Sequence, residues 1–147
     1  MHKTLIAPLV FTGLLAFPLA LAAEEDTRVA IDMPEMMRTH MLANMRDHLT
    51  SIQEIQNHLA AGEFDAAAEV AEKRLGMSSL ETHGASHMAG FMPKGMQETG
   101  TAMHQAASRF AVISQETAVT RELPRALGAL SRVTAQCVAC HAAYRLK

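Results

Sequence analysis

The C-terminal stretch PRALGALSRVTAQCVACHAAYRLK (residues 124–147) decides the predicted fold, because it has the spacing of an amphipathic helix. Pro124 suits the first turn of such a helix. Its apolar and chemically reactive residues recur at steps of three and four, the period of one helix face: Leu127, Leu130, Thr134, Cys137, His141 and Tyr144. We therefore expect a helix whose buried face carries Cys137 and His141.

Working outward, three earlier stretches repeat this pattern. Pro34 and Gly62 bound a predicted helix, residues 63–75 form a shorter one that Gly76 stops, and residues 93–116 form the third. The glycine-containing link 76–92 is expected to be irregular or partly helical. The predicted inward faces are Met37, Met41, His48, Ile52, Ile55 and Leu59, widened by Met45 and Leu49; Phe64, Ala68, Ala71 and Leu75; and Met92, Met96, Thr99, Met103, Ala106, Phe110 and Ile113.

Composition favours the same fold class. Leu, Ala and Met are abundant, Trp is absent and only one Tyr occurs, so helix-forming residues outnumber strand-forming ones. Four amphipathic helices bury their apolar faces only by packing against one another. We expect an all-α helix bundle with a single core.

The N-terminal segment, residues 1–22, has the pattern of a secretory signal peptide: a basic start, an apolar run and the A-x-A pair Ala20 and Ala22. A membrane anchor is the alternative, but Pro8, Gly13 and Pro18 interrupt the run. We predict an exported, periplasmic domain of residues 23–147 without a membrane span. The formal charge of −2 offers no basic surface for nucleic acid.

Cys137, Cys140 and His141 stand at i, i+3 and i+4, so their side chains project from one helix turn. C-x-x-C-H is the attachment sequence of c-type haem, in which the thiols add to the porphyrin vinyl groups and the histidine binds the iron. A redox pair expects a preceding strand, and structural zinc needs four ligands. We therefore expect one covalent haem c, with Cys137 and Cys140 as anchors and His141 as proximal ligand.

CVACHAAYR near the end of a signal-bearing, four-helix chain resembles the class II c-type cytochromes, the cytochrome c′ family. The resemblance implies a left-handed antiparallel four-helix bundle with haem held near the C-terminal helix. It also implies that Arg145 lies on the proximal side, where it tunes the imidazole charge or pairs with a propionate; a solvated arginine at a helix end is the alternative. The resemblance further implies a homodimer through the first two helices, where Ala60, Ala61 and residues 66–68 would allow close approach; an internal interface of the bundle is the alternative use of these alanines.

The first predicted helix supplies candidates for the distal iron ligand. MPEMMRTHMLANMRDH (residues 33–48) places Met37, Met41 and Met45 at i, i+4 and i+8, along one side. Methionine stripes also fill cores. We expect Met41 as the ligand, with Met37, Met45 and His48 as alternatives, and His40 as a weaker rival.

The distal ligand decides the expected function within this family. Methionine ligation predicts a one-electron carrier that meets redox partner proteins and is not an enzyme. Five-coordinate iron with an open sixth position predicts binding of nitric oxide or carbon monoxide. A third hypothesis is copper binding by THGASHMAGFMPKGM (residues 82–96), whose soft and borderline donors are His83, His87, Met88, Met92 and Met96.

Overall fold

The computed structural model describes residues 25–147, and the fold within them is helical. The predicted signal segment 1–22 lies outside this range. The helices are α1 (Glu35–Ala61), α2 (Phe64–Arg74), α3 (Ala85–Ala89), α4 (Lys94–Thr120) and α5 (Leu123–Ala143), with a 3₁₀ turn at Met77–Ser79. The expected all-α class is confirmed.

Local sequence signals set the helix ends. Pro34 precedes α1, and Gly62 ends it in the left-handed region with φ 75°, where its N–H reaches the carbonyls of His58 and Leu59. Pro124 occupies the first turn of α5. The third predicted helix was too short, because α4 continues past residue 116 to Thr120.

The helices pack in sequence: α1 on α2, α2 on α4, and α4 on α5. Their contact surfaces enclose a large core, here called the aliphatic core. Its buried members are Ile55, Leu59, Phe64, Ala67, Ala68, Ala71, Leu75, Met103, Ala106, Ala107, Phe110, Ala111, Ala126, Ala129, Leu130 and Val133. The inward face predicted for the second stretch is thereby confirmed, as are Met103, Ala106 and Phe110 of the third.

A second core, the methionine core, lies beside the start of α1 and the end of α5. Its buried members are Ile31, Met41, Met88 and Met96, and half-buried side chains packed against them are Met33, Met37, Met45, Met92, Cys140, Tyr144 and Leu146. The CVACH motif thus meets thioether-rich packing at this end of the molecule.

A short parallel strand pair joins the two ends of the described chain and was not predicted. β1 (Val29–Ile31) pairs with β2 (Tyr144–Leu146), in the register Val29 to Tyr144 and Ile31 to Leu146. Lys147 extends the pairing by donating its N–H to the Ile31 carbonyl at 3.1 Å. Nothing local signals such a pair, because its strands come from opposite ends of the domain.

Two predicted inward faces were partly wrong. On α5, Leu127 is 47% exposed and His141 is exposed, while Ala126, Ala129 and Val133 are buried. Small side chains let α5 approach α4 closely, so the buried face is rotated toward the alanines rather than the larger residues.

On α1, Leu49 is 72% exposed and Ser51 is fully buried. The Ser51 hydroxyl donates to the Asp47 carbonyl at 2.8 Å, which satisfies its hydrogen bond inside the helix. The buried face of α1 therefore includes Ser51, which the apolar pattern did not predict, and excludes Leu49.

None of the helices within residues 25–147 combines the length and hydropathy needed to cross a bilayer.

Candidate functional site

The two cysteines lie in the last turns of α5, at the junction of the two cores. Both are half-buried and neither forms a disulfide. Cys137 packs against the aliphatic core, whereas Cys140 packs within the methionine core. Together the two thiols therefore line the boundary where branched, tightly packed side chains give way to thioethers.

The surroundings of these thiols differ from those of a catalytic redox pair. Burial raises the pKa of the Cys137 thiol. Burial, followed by the charge of Cys137, raises the pKa of Cys140. Catalytic thiols have lowered pKa values in electropositive settings, so the local environment disfavours the thioredoxin-like interpretation.

His141 follows Cys140 directly, and its side chain is exposed at the end of α5. Its backbone carbonyl accepts a hydrogen bond from the Arg28 guanidinium at 3.3 Å. This contact and the strand pair hold the end of α5 against the start of the domain. The imidazole is thus presented from an anchored helix end.

The three methionines predicted on the first helix lie in the methionine core with Cys140. Met41 is 7% exposed, and Met37 and Met45 are half-buried on either side of it. The inward position predicted for these methionines is found, and they pack in the same cluster as Cys140.

His48 lies instead in a cluster of three imidazoles, here called the histidine layer, with His83 and His104. The His48 Nε2 and His83 Nδ1 atoms are 3.4 Å apart, and the ring centroids of His83 and His104 are 5.6 Å apart. His104 Nδ1 donates to the Leu75 carbonyl at 2.8 Å. Helix periodicity indicated an inward His48, but no sequence signal placed His83 from the connecting segment against it.

Burial makes these imidazoles hard to protonate. It lowers the pKa of His48 to about 4, with added repulsion from His83 and His104 and a smaller opposing effect of Asp47. Burial is also the largest cause of the lowered pKa values of His83 and His104. The histidine layer is therefore neutral at pH 7.

His40 fixes the connecting segment from α1. Its Nε2 donates to the His83 carbonyl at 2.9 Å, and Asn44 Nδ2 donates to the same oxygen at 3.0 Å. These two hydrogen bonds hold His83 in the histidine layer. His83 is therefore separated from the other donors of the predicted copper segment. His87 and Met88 line a surface pocket with α1, and Met92 and Met96 lie in the methionine core.

Arg145 lies in β2, four residues beyond His141 and after the end of α5. Its Nε is 3.2 Å from Asp26 Oδ2, which also pairs with Arg28 at 2.8 Å. That Nε is buried and has no hydrogen-bond partner among the described residues, because the approach to Asp26 has poor geometry. The guanidinium therefore retains an unused donor near the end of α5.

Within residues 25–147, no three His, Cys, Asp or Glu side chains are arranged to hold a metal ion. Comparisons with protein-family models, curated proteins and solved structures find no match to this chain.

Proposed function

We propose that this chain is an exported, periplasmic class II c-type cytochrome that carries one electron. The observation that supports this function best is the position of Cys140. It packs among thioethers while Cys137 and His141 project from the same turns of α5. A C-x-x-C-H motif with free thiols at an apolar wall fits a covalently held haem.

The residues present match the needs of that cofactor. Cys137 and Cys140 would hold it, His141 would be the proximal ligand, and the haem would supply a one-electron iron couple. Met41 would be the distal ligand, since it is the buried central member of the α1 methionines. A thioether is a weak donor that favours ferrous iron and raises the potential.

Arg145 suits a role beside an anionic group of the cofactor. Its side chain is 39% exposed, and the Nη groups that the ion pair with Asp26 leaves free would pair with a propionate. Asp26 would keep the guanidinium oriented through their ion pair at 3.2 Å.

We also propose that α1, α2, α4 and α5 form an antiparallel four-helix bundle. Two-residue links at 62–63 and 121–122 connect α1 to α2 and α4 to α5, and such short links are typical of antiparallel neighbours. Redox partner proteins would approach near the exposed His141 end.

A homodimer through α1 and α2 would use the exposed Ala60 and Ala61. Ala67 and Ala68 are not available to it, because they are buried in the aliphatic core.

Visible spectra of the purified, exported protein test the proposed function. We expect split α and β bands on reduction, as for six-coordinate low-spin haem, and we expect Met41→Leu to convert the spectrum to a high-spin form. Met77→Leu, on the 3₁₀ turn outside the methionine core, is the matched control and should leave the bands unchanged. A broad high-spin wild-type spectrum that shifts with carbon monoxide would instead favour the gas-binding alternative.

A further inference from the structure

A surface pocket between α1 and α3 lies apart from the cysteine motif. Its volume is about 200 Å³, and its lining residues are Met36, Met37, His40, Gly84, His87 and Met88. We call it the α1–α3 pocket. None of Cys137, Cys140 and His141 lines it, so its chemistry can be considered separately from haem attachment.

The donor atoms of this lining are thioether sulfurs and imidazole nitrogens, and the lining includes no carboxylate. Hard cations such as Mg²⁺ and Ca²⁺ require oxygen ligands. Thioether ligands select soft ions, of which Cu(I) is the biological example, and imidazole also binds copper. The donor set therefore discriminates against the common hard ions.

Core packing does not explain the residues at the mouth of the pocket. Met36 is 74% exposed, and His87 is exposed as well. Met88, which also lines the pocket, is 2% exposed. The lining therefore combines an exposed thioether and an exposed imidazole with a buried thioether.

His40 already has the orientation that a metal-binding histidine commonly has. Its Nε2–H donates to the His83 carbonyl at 2.9 Å, which leaves the lone pair on Nδ1. Histidine ligands usually donate their other ring N–H to a carbonyl or carboxylate in this way. Gly84 permits this close approach, because a Cβ there would be 3.2 Å from His40 Nε2 and the backbone has φ +63°.

We propose that the α1–α3 pocket binds one Cu(I) ion through the thioethers of Met36 and Met88 and the imidazole of His87, with His40 as a further ligand. The site uses His87 and Met88, two of the five donors expected from the copper segment, and completes the ligand set with residues of α1. It requires neither haem nor Met37, but it shares Met88 with the methionine core against which Cys140 packs.

Anaerobic titration of the exported protein with Cu(I), against the chromophoric competitor bicinchoninate, tests this site. We expect one Cu(I) per chain, and at least tenfold weaker binding in the double variant Met36→Leu/His87→Gln. Both replaced side chains are exposed, so circular dichroism should show an unchanged fold. The matched control Met77→Leu/His58→Gln removes one thioether and one imidazole outside the pocket and should bind as the wild type does.

X-ray absorption at the copper edge supplies a second readout. We expect sulfur scattering from the bound ion in the wild type, and fewer sulfur neighbours in Met36→Leu. Failure to retain Cu(I) against the competitor, or equal weakening in the pocket variant and the control, would overturn the proposal. A protein without haem that still binds Cu(I) in the pocket would reject the cytochrome function alone.

Discussion

The aliphatic core and the methionine core differ in the kinds of side chain that fill them. The aliphatic core combines alanines with a few large, fully buried side chains such as Phe110 and Ile55. The methionine core has four buried members and a larger ring of half-buried ones, among them Cys140. Branched and aromatic side chains specify one packing, whereas unbranched thioethers adapt to new neighbours. The methionine core lies beside the C-x-x-C-H motif, where side chains would have to repack around a bound cofactor.

Truncation should have its largest effect in the aliphatic core. Phe110 is fully buried, so Phe110→Ala should lower the free energy of unfolding by about 3–5 kcal/mol through lost burial and a residual cavity. Met96→Leu, in the methionine core, preserves side-chain volume and should cost less than about 1.5 kcal/mol. Urea unfolding of both variants measures the contrast, and a larger loss for Met96→Leu would break the distinction between the cores.

The histidine layer should make stability depend on pH. The pKa of His48 falls from 6.5 to about 4 on folding. Between these values the unfolded chain binds more protons, so the stability present above pH 6.5 is lost as pH falls through the folded pKa. The shift corresponds to about 3 kcal/mol.

Chemical unfolding at several pH values between 6.5 and 4 measures this dependence. His48→Gln cannot titrate and should show a shallower decline, since only His83 and His104 would remain in the layer. A wild-type stability that is constant or rises as the solution is acidified over this range would contradict a neutral histidine layer.

Alanine substitutions at two glycines of α4 should have the smallest effects on stability, and these effects should differ in sign. A Cβ at Gly95 would lie 2.6 Å from the Tyr144 hydroxyl in the methionine core, whereas one at Gly100 would meet nothing within 4 Å. Gly95→Ala should therefore cost about 1 kcal/mol through the clash. Gly100→Ala should gain about 0.5–1 kcal/mol from its better helix propensity.

Thermal or urea unfolding of the two alanine variants measures this difference. Tyr144→Phe in the Gly95→Ala background removes the clashing oxygen and should restore part of the loss. If both alanine variants stabilise the protein equally, Tyr144 does not occupy the position that the structure gives it.

The sequence predicts the positions of the helices better than it predicts the contacts between distant segments. Pro34, Gly62 and Pro124 act within one or two turns, and the expected helix ends near them are found in the structure. The strand pair joins Val29 to Tyr144. Such contacts between distant parts of the chain leave no local periodicity.

Prediction of the candidate functional site was limited in the same way, to contacts that a local pattern signals. The i, i+4 and i+8 spacing of Met37, Met41 and Met45 was enough to place them on one helix face. The folding of His83 onto His48, held by His40 and Asn44, depends on the path of a link without regular pattern. The close approach of Tyr144 to Gly95 is likewise a contact between distant parts of the chain that no local pattern predicts.

Covalent attachment of haem through Cys137 and Cys140 is the central claim, and the intact mass of the exported protein, measured under denaturing conditions, tests it most directly. We expect the polypeptide without residues 1–22 plus the mass of one haem, and loss of that added mass in Cys137→Ser/Cys140→Ser. A wild-type mass equal to the polypeptide alone would contradict the claim.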